Sequence, residues 1–119
     1  MKVLFDHNVP KRFRHLLIGH AVTITLEMGW ERLANGKLLN AAALAAFEVF
    51  LSIDKKLEHE QNLNKLPIPV VILDAVSNAL PQLIPFVPHV QALLEQRLQK
   101  ILYLIERDGR VIRKGTGMA

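Results

Sequence analysis

Short, unbroken apolar runs alternate along this chain with stretches whose apolar residues recur at helical spacing. Val3-Leu4-Phe5 and Pro69-Val70-Val71-Ile72-Leu73 have no polar alternation, the pattern of strands buried on both faces of a parallel sheet. Ala21-Val22-Thr23-Ile24-Thr25 is short and β-branched, and Glu48-Val49-Phe50-Leu51-Ser52 is apolar at its centre; both read as strands. Between the first two runs, Pro10 opens a short helix that Gly19 ends. Phe13, Leu16 and Leu17 share one face of it, and Lys11, Arg12 and Arg14 lie off that face. Strand, helix and strand in so few residues make a βαβ unit, right-handed by the general rule.

From Lys37 to Phe47, Leu38, Leu39, Ala42, Ala45 and Ala46 make an alanine-rich helix able to pack closely on a sheet. Residues 55–64 are polar and predict a short helix and loop. Pro81, Pro85 and Pro88 break the next stretch into turns, and Pro88 suits the start of a helix striped with Val90, Leu93, Leu94, Leu98 and Ile101. Leu102–Glu106 and Arg110–Arg113 flank Asp108-Gly109, a hairpin-turn signal. The expectation is one α/β domain over residues 1–114, a three-layer αβα sandwich with a mostly parallel central sheet and a C-terminal β-hairpin. Residues 115–119 read as a flexible tail.

Composition narrows the class. No apolar run approaches the roughly 20 residues of a membrane span, and the start lacks a signal-peptide pattern. There is no cysteine, hence neither a disulfide framework nor a thiolate metal site, and a cytoplasmic protein is the default expectation. The net charge of +4 is unevenly spread: residues 1–20 carry +3, residues 21–96 carry −3 and residues 97–119 carry +4. Basic ends around an acidic middle suit a protein that grips a polyanion while keeping carboxylates for chemistry; ordinary surface charge is the plainer reading.

Asp6, Asp54 and Asp74 follow the first, third and fourth predicted strands. In open parallel sheets the carboxyl ends of the strands form the ligand crevice, and with the first strand central these three acids can converge there. Gathered carboxylates repel one another unless a divalent ion neutralises them, and hard oxygen ligands suit Mg²⁺ or Mn²⁺. Such an ion generates a nucleophile and stabilises the leaving oxygen of a phosphodiester. Asn8 holds Asp6 or caps the next helix, and Asn35 reaches the site or turns the chain. Gln61 and Asn62 contact nucleotide or are solvated loop residues; Ser77 and Asn78 follow Asp74 in a turn; Lys56, with Lys55, meets phosphate or is solvated. Trp30 is read as a packing residue, and His7 as pointing away from the Asp6 side.

Lys2–Pro10, with Asp6, Asn8 and Pro10 after an apolar strand, resembles the opening of PIN-like ribonuclease domains, particularly the stand-alone bacterial proteins akin to VapC-like toxins. The resemblance runs on through Gly29-Trp30, Leu33, Asn35-Gly36, Leu38-Leu39, Phe47–Asp54 and Gln61-Asn62-Leu63, covering residues 1 to about 90. It implies a parallel αβα fold and Mg²⁺- or Mn²⁺-dependent cleavage of single-stranded RNA, with a cognate antitoxin as partner. Two departures thin the acidic set: Lys56 stands where many relatives carry a second acid, and Asn35-Gly36-Lys37 replaces the acid before the central helix. A PIN-like domain that binds nucleic acid or a partner without cutting is therefore a second reading. A receiver-type domain is a third; it wants paired acids after the first strand and a lysine after the last parallel one, where this chain has Asp6-His7 and no clear lysine. High apolar content and an available edge at the hairpin point to a homodimer.

Overall fold

A computed structural model describes residues 1–116. The strands are β1 (Lys2–Phe5), β2 (Ala21–Ile24), β3 (Val49–Ser52), β4 (Val70–Leu73), β5 (Leu102–Ile105) and β6 (Val111–Lys114). They form one sheet in the order β2-β1-β3-β4-β5-β6, all neighbours parallel except the β5–β6 hairpin. The α-helices are α1 (Asn35–Leu44), α2 (Leu57–Glu60), α3 (Leu80–Leu83) and α4 (Val87–Leu94), joined by 3₁₀ segments at Lys11–Leu16, Thr25–Met28 and Ile84–Phe86. The chain is thus an α/β protein with helical segments on both faces of a mostly parallel sheet. No helix among the described residues is long and apolar enough to cross a membrane.

Alternation along the strands sorts the core into two layers. Val3, Phe5, Val49, Leu51, Val71, Leu73, Tyr103 and Ile105 face Phe13 and Leu17 of the first 3₁₀ segment and Leu83, Phe86, Val90 and Leu93 of α3–α4. Leu4, Phe50, Val70, Ile72 and Leu102 face Leu38, Leu39 and Ala42 of α1, Leu57 of α2 and the loop residues Leu66 and Ile68. Trp30 packs edge-on against Phe47 at 6.1 Å, as a packing residue should. Because α3–α4 lie on the face of the first 3₁₀ segment, the β4-to-β5 crossover has the opposite hand to the other three parallel connections. Parallel crossovers share one hand almost without exception, so this connection is unusual.

The elements depart from expectation mainly at their ends. The helix expected over Pro10–Gly19 is a 3₁₀ segment at Lys11–Leu16, with Phe13 N–H bonded to the Pro10 carbonyl. The central helix starts at Asn35, so Asn35 is its first residue while Ala34 takes the cap position. It closes at Leu44 because Ala46 turns left-handed at φ 66°. Helix α4 ends at Leu94, leaving Leu98 and Ile101 of the expected stripe in the following loop. Of the expected tail, residues 117–119 lie outside the described residues.

The first strand is interior without being central: β2 flanks it on one side and four strands lie on the other. The chain runs outward from β1 to β2, then returns past β1 to β3. That reversal is a topological switch point, the place where open α/β sheets bind ligands outside their carboxyl ends.

Candidate functional site

The switch point brings together the end of β1 and the end of β3. Asp6 continues the ladder one residue beyond β1, its N–H donating to the Leu51 carbonyl at 2.8 Å. That register buries the side chain almost completely, at 1% exposure. A buried carboxylate must be hydrogen-bonded, and this one is. Its Oδ2 accepts the Ser52 hydroxyl at 2.7 Å, and its Oδ1 accepts the His7 backbone N–H at 2.8 Å and lies 2.9 Å from His7 Nδ1. His7, expected to point away, turns back over Asp6 with its ring largely in solvent.

Ser52 is the hub. It is the last residue of β3, fully buried, and its Oγ accepts the Asp54 N–H at 3.0 Å while donating to Asp6. Asn8 Nδ2 lies 3.4 Å from the same oxygen, and Asn8 Oδ1 accepts the Ile53 N–H at 3.4 Å. Asn8 thus ties the β1 loop to the β3 loop and does not cap a helix. Asp54 Oδ1 accepts the Lys56 N–H at 3.0 Å, and the Asp54 carbonyl accepts the Leu57 N–H at 3.2 Å. This Asx-type turn starts the chain into α2, so Asp54 also has a local structural role.

Asp74 joins from the end of β4, its N–H donating to the Ile105 carbonyl at 2.9 Å. Its Oδ1 pairs with Lys55 Nζ at 2.7 Å. The cation beside this carboxylate is therefore a lysine of the β3 loop. Lys56 is exposed. Ser77 Oγ accepts the Ala79 N–H and Asn62 Oδ1 accepts the Asn64 N–H, so both serve their own turns. Asn78 is exposed beyond β4. Gln61 lies beside the start of α1, its Oε1 3.9 Å from where a Cβ on Gly36 would stand, and so forms a separate neighbourhood with Asn35 and Gly36.

Among the described residues, no group of three or more His, Cys, Asp or Glu side chains is gathered so as to hold an ion. Ser52 holds the Asp6 carboxylate and the Asp54 backbone N–H, the Asp54 carboxylate accepts the Lys56 N–H, and the Asp74 carboxylate is held by Lys55. Hard oxygen donors still fit Mg²⁺ or Mn²⁺, because Mg²⁺ commonly binds through one or two carboxylates and keeps its remaining waters for phosphate. Asp6 and Asp54 are the residues that would hold such an ion.

Beside Asp6, on the β2 side, a cleft of about 310 Å³ opens between the ends of β1 and β2. Val9, Pro10, Ile24 and Leu26 give it apolar walls, Asp6 and Thr25 lie inward, and His7, Lys11 and Glu31 stand around it. Sequence reasoning missed this cleft, the hub role of Ser52 and the pairing of Lys55 with Asp74. The only hint of Ser52 was a hydroxyl residue closing an otherwise apolar strand.

No family model, curated protein or solved structure matches this chain.

Proposed function

We propose that this protein is a small PIN-like endoribonuclease that cleaves single-stranded RNA with Mg²⁺ or Mn²⁺, acting as the toxin of a toxin–antitoxin pair. The supporting observation is the Asp6–Ser52–Asp54 linkage at the β1/β3 switch point, where two carboxyl-bearing strand ends are tied through one hydroxyl. The resemblance of Lys2–Pro10 to PIN-like openings adds the choice of chemistry. The cytoplasm, an antitoxin and a homodimer formed through the β6 edge belong to the same proposal.

In this reading, Asp6 and Asp54 would hold an ion that would supply an activated water and neutralise charge on the phosphodiester. The chain's own residues prepare the site. Ser52 fixes Asp6 Oδ2 and the Asp54 backbone in one register, and the Lys56 N–H holds the Asp54 carboxylate. Asn8 locks the two loops together, and Lys55 and Lys56 present ammonium groups where phosphate would approach. Asp74 becomes a ligand only if Lys55 releases it to bind that phosphate.

A second reading, a PIN-like domain that binds nucleic acid without cutting, is favoured by the Lys55–Asp74 pair and by lysine at position 56. The deciding experiment incubates a panel of single-stranded RNAs with wild type and with Asp54→Asn, each with Mg²⁺ and with Mn²⁺. Cleavage by wild type that falls at least about 100-fold in Asp54→Asn is expected, the scale on which removal of a catalytic electrostatic group acts. Cleavage unaffected by the substitution overturns the site assignment. An intact panel that nonetheless binds the protein selects the non-cutting reading.

A further inference from the structure

The cleft between the ends of β1 and β2 is not used by the phosphodiester chemistry, yet it adjoins Asp6. Its walls are apolar, and Lys11, Leu26 and Glu31 at its edge are exposed, so a ligand can enter from solvent. A volume of about 310 Å³ is at the small end for ligand pockets, enough for one nucleobase with part of its sugar. Besides Asp6 within it, two charged side chains at its edge give the cleft polarity. The Lys11 ammonium suits a phosphate. The Glu31 carboxylate makes no hydrogen bond or ion pair with the protein among the described residues.

Guanine is the base whose Watson–Crick edge offers two adjacent donors, N1–H and the N2 amine, and a carboxylate can accept both at once. Uracil offers a single donor between two carbonyls, which a carboxylate repels. Bases splayed from single-stranded RNA are held in this way, by apolar or aromatic contact on the ring and hydrogen bonds on the edge.

We propose that this cleft is a base-specific subsite that receives a guanine nucleotide of single-stranded RNA beside the cleavage site, with Val9, Pro10, Ile24 and Leu26 against the ring and Glu31 reading its edge. The position next to a cleavage site rests on the nuclease reading, whereas nucleotide binding in the cleft does not. Lys11 meets the phosphate of the held nucleotide. Thr25, buried under the ring, sets the depth of the cleft.

The test separates binding from cleavage. In EDTA, guanosine and uridine monophosphates and the dinucleotide GpU are titrated into isotope-labelled wild type, Glu31→Gln and Ile24→Phe, following backbone amide resonances; the spectra also report whether each variant is folded. Guanosine monophosphate and GpU are expected to shift Val9, Lys11, Thr25 and Leu26. Guanosine should bind about tenfold more tightly than uridine, the lower range for a bidentate base contact. Glu31→Gln should erase that preference, and Ile24→Phe should fill the cleft and weaken both. Shifts confined to Lys55 and Lys56, no binding, or a preference that survives Glu31→Gln overturn the subsite. Refusal of GpU with acceptance of the mononucleotide overturns the RNA assignment. RNA cleavage lost in Asp54→Asn but unchanged in base preference by Glu31→Gln leaves the nuclease standing and removes the subsite. Guanine binding without cleavage under any metal does the reverse.

Discussion

Ser52 shows how one hydroxyl can organise a site. It satisfies one oxygen of a buried carboxylate and a backbone N–H at once, and truncation would leave Asp6 Oδ2 and the Asp54 N–H without partners. An unsatisfied buried polar group costs more than a hydrogen bond gains, so Ser52→Ala should destabilise the protein by about 1–3 kcal/mol, read from the urea midpoint. A loss below about half a kilocalorie would mean water replaces the hydroxyl. Away from the site, the carboxyl of Glu27 accepts the Ile24 N–H at 3.0 Å and the Arg14 guanidinium at 2.8 Å, and these bonds hold its pKa below the ordinary 4.5. A carboxyl lowered on folding stabilises above its unfolded pKa, and that contribution disappears as the pH falls through the folded value. Carboxyl NMR titration should therefore find Glu27 protonating below 4.5, and the Glu27→Gln variant should lose stability more gently than wild type as pH falls through that window. A midpoint at or above the ordinary value would contradict it.

Helix α1 illustrates how an element can be right in kind and strained at one end. Its C-terminus is a Schellman turn: Phe47 N–H donates to the Ala42 carbonyl at 3.0 Å and Ala46 N–H to the Ala43 carbonyl at 3.1 Å. The turn needs a left-handed residue at Ala46, where a Cβ is unfavourable. Lys2 compensates in part, its ammonium donating to the Ala45 carbonyl at 2.6 Å and lying 4.4 Å over the Phe47 ring. Ala46→Gly should raise stability by about 0.5–1 kcal/mol, the reverse of the usual effect of glycine, and thermal melting reads the sign directly. The C-terminal hairpin makes the opposite choice. Gly109 at φ 94° carries its turn, and a Cβ there would run into the His89 ring, so glycine lets the hairpin tip lie close against α4.

Across the whole molecule, the sheet order decides which strand ends can cooperate. The β1/β3 adjacency makes Asp6 and Asp54 neighbours, and the Lys55–Asp74 pair bridges from β3 to β4. An ion that binds only the folded state stabilises it by mass action. Wild type should therefore melt about 10 °C higher with Mn²⁺ at a hundredfold excess over its Kd than in EDTA, and Asp54→Asn should show almost no shift. Equal melting in both conditions, with Asp54→Ala about 1 kcal/mol less stable and Asp54→Asn near neutral, would leave Asp54 as a turn residue alone.

Local pattern was enough for the strands, the hairpin and the central helix, because burial on two faces and the Asp108-Gly109 turn act through neighbouring residues. It also put Asp6, Asp54 and Asp74 at strand ends, since a strand stops where its apolar run stops. Three things were decided only when the chain folded. Strand order and the odd-handed β4-to-β5 crossover depend on which helix covers which face, and Val90 or Leu93 would bury equally well on either side. The bonds of Asp6 to Ser52 and of Asp74 to Lys55 depend on contacts across 46 and 19 positions of sequence, which no local pattern encodes. The cleft beside Asp6 exists because β1 and β2 end together while the segments that follow them, Val9–Lys11 and Thr25–Glu31, diverge; its walls are ordinary apolar residues until the register sets them opposite one another.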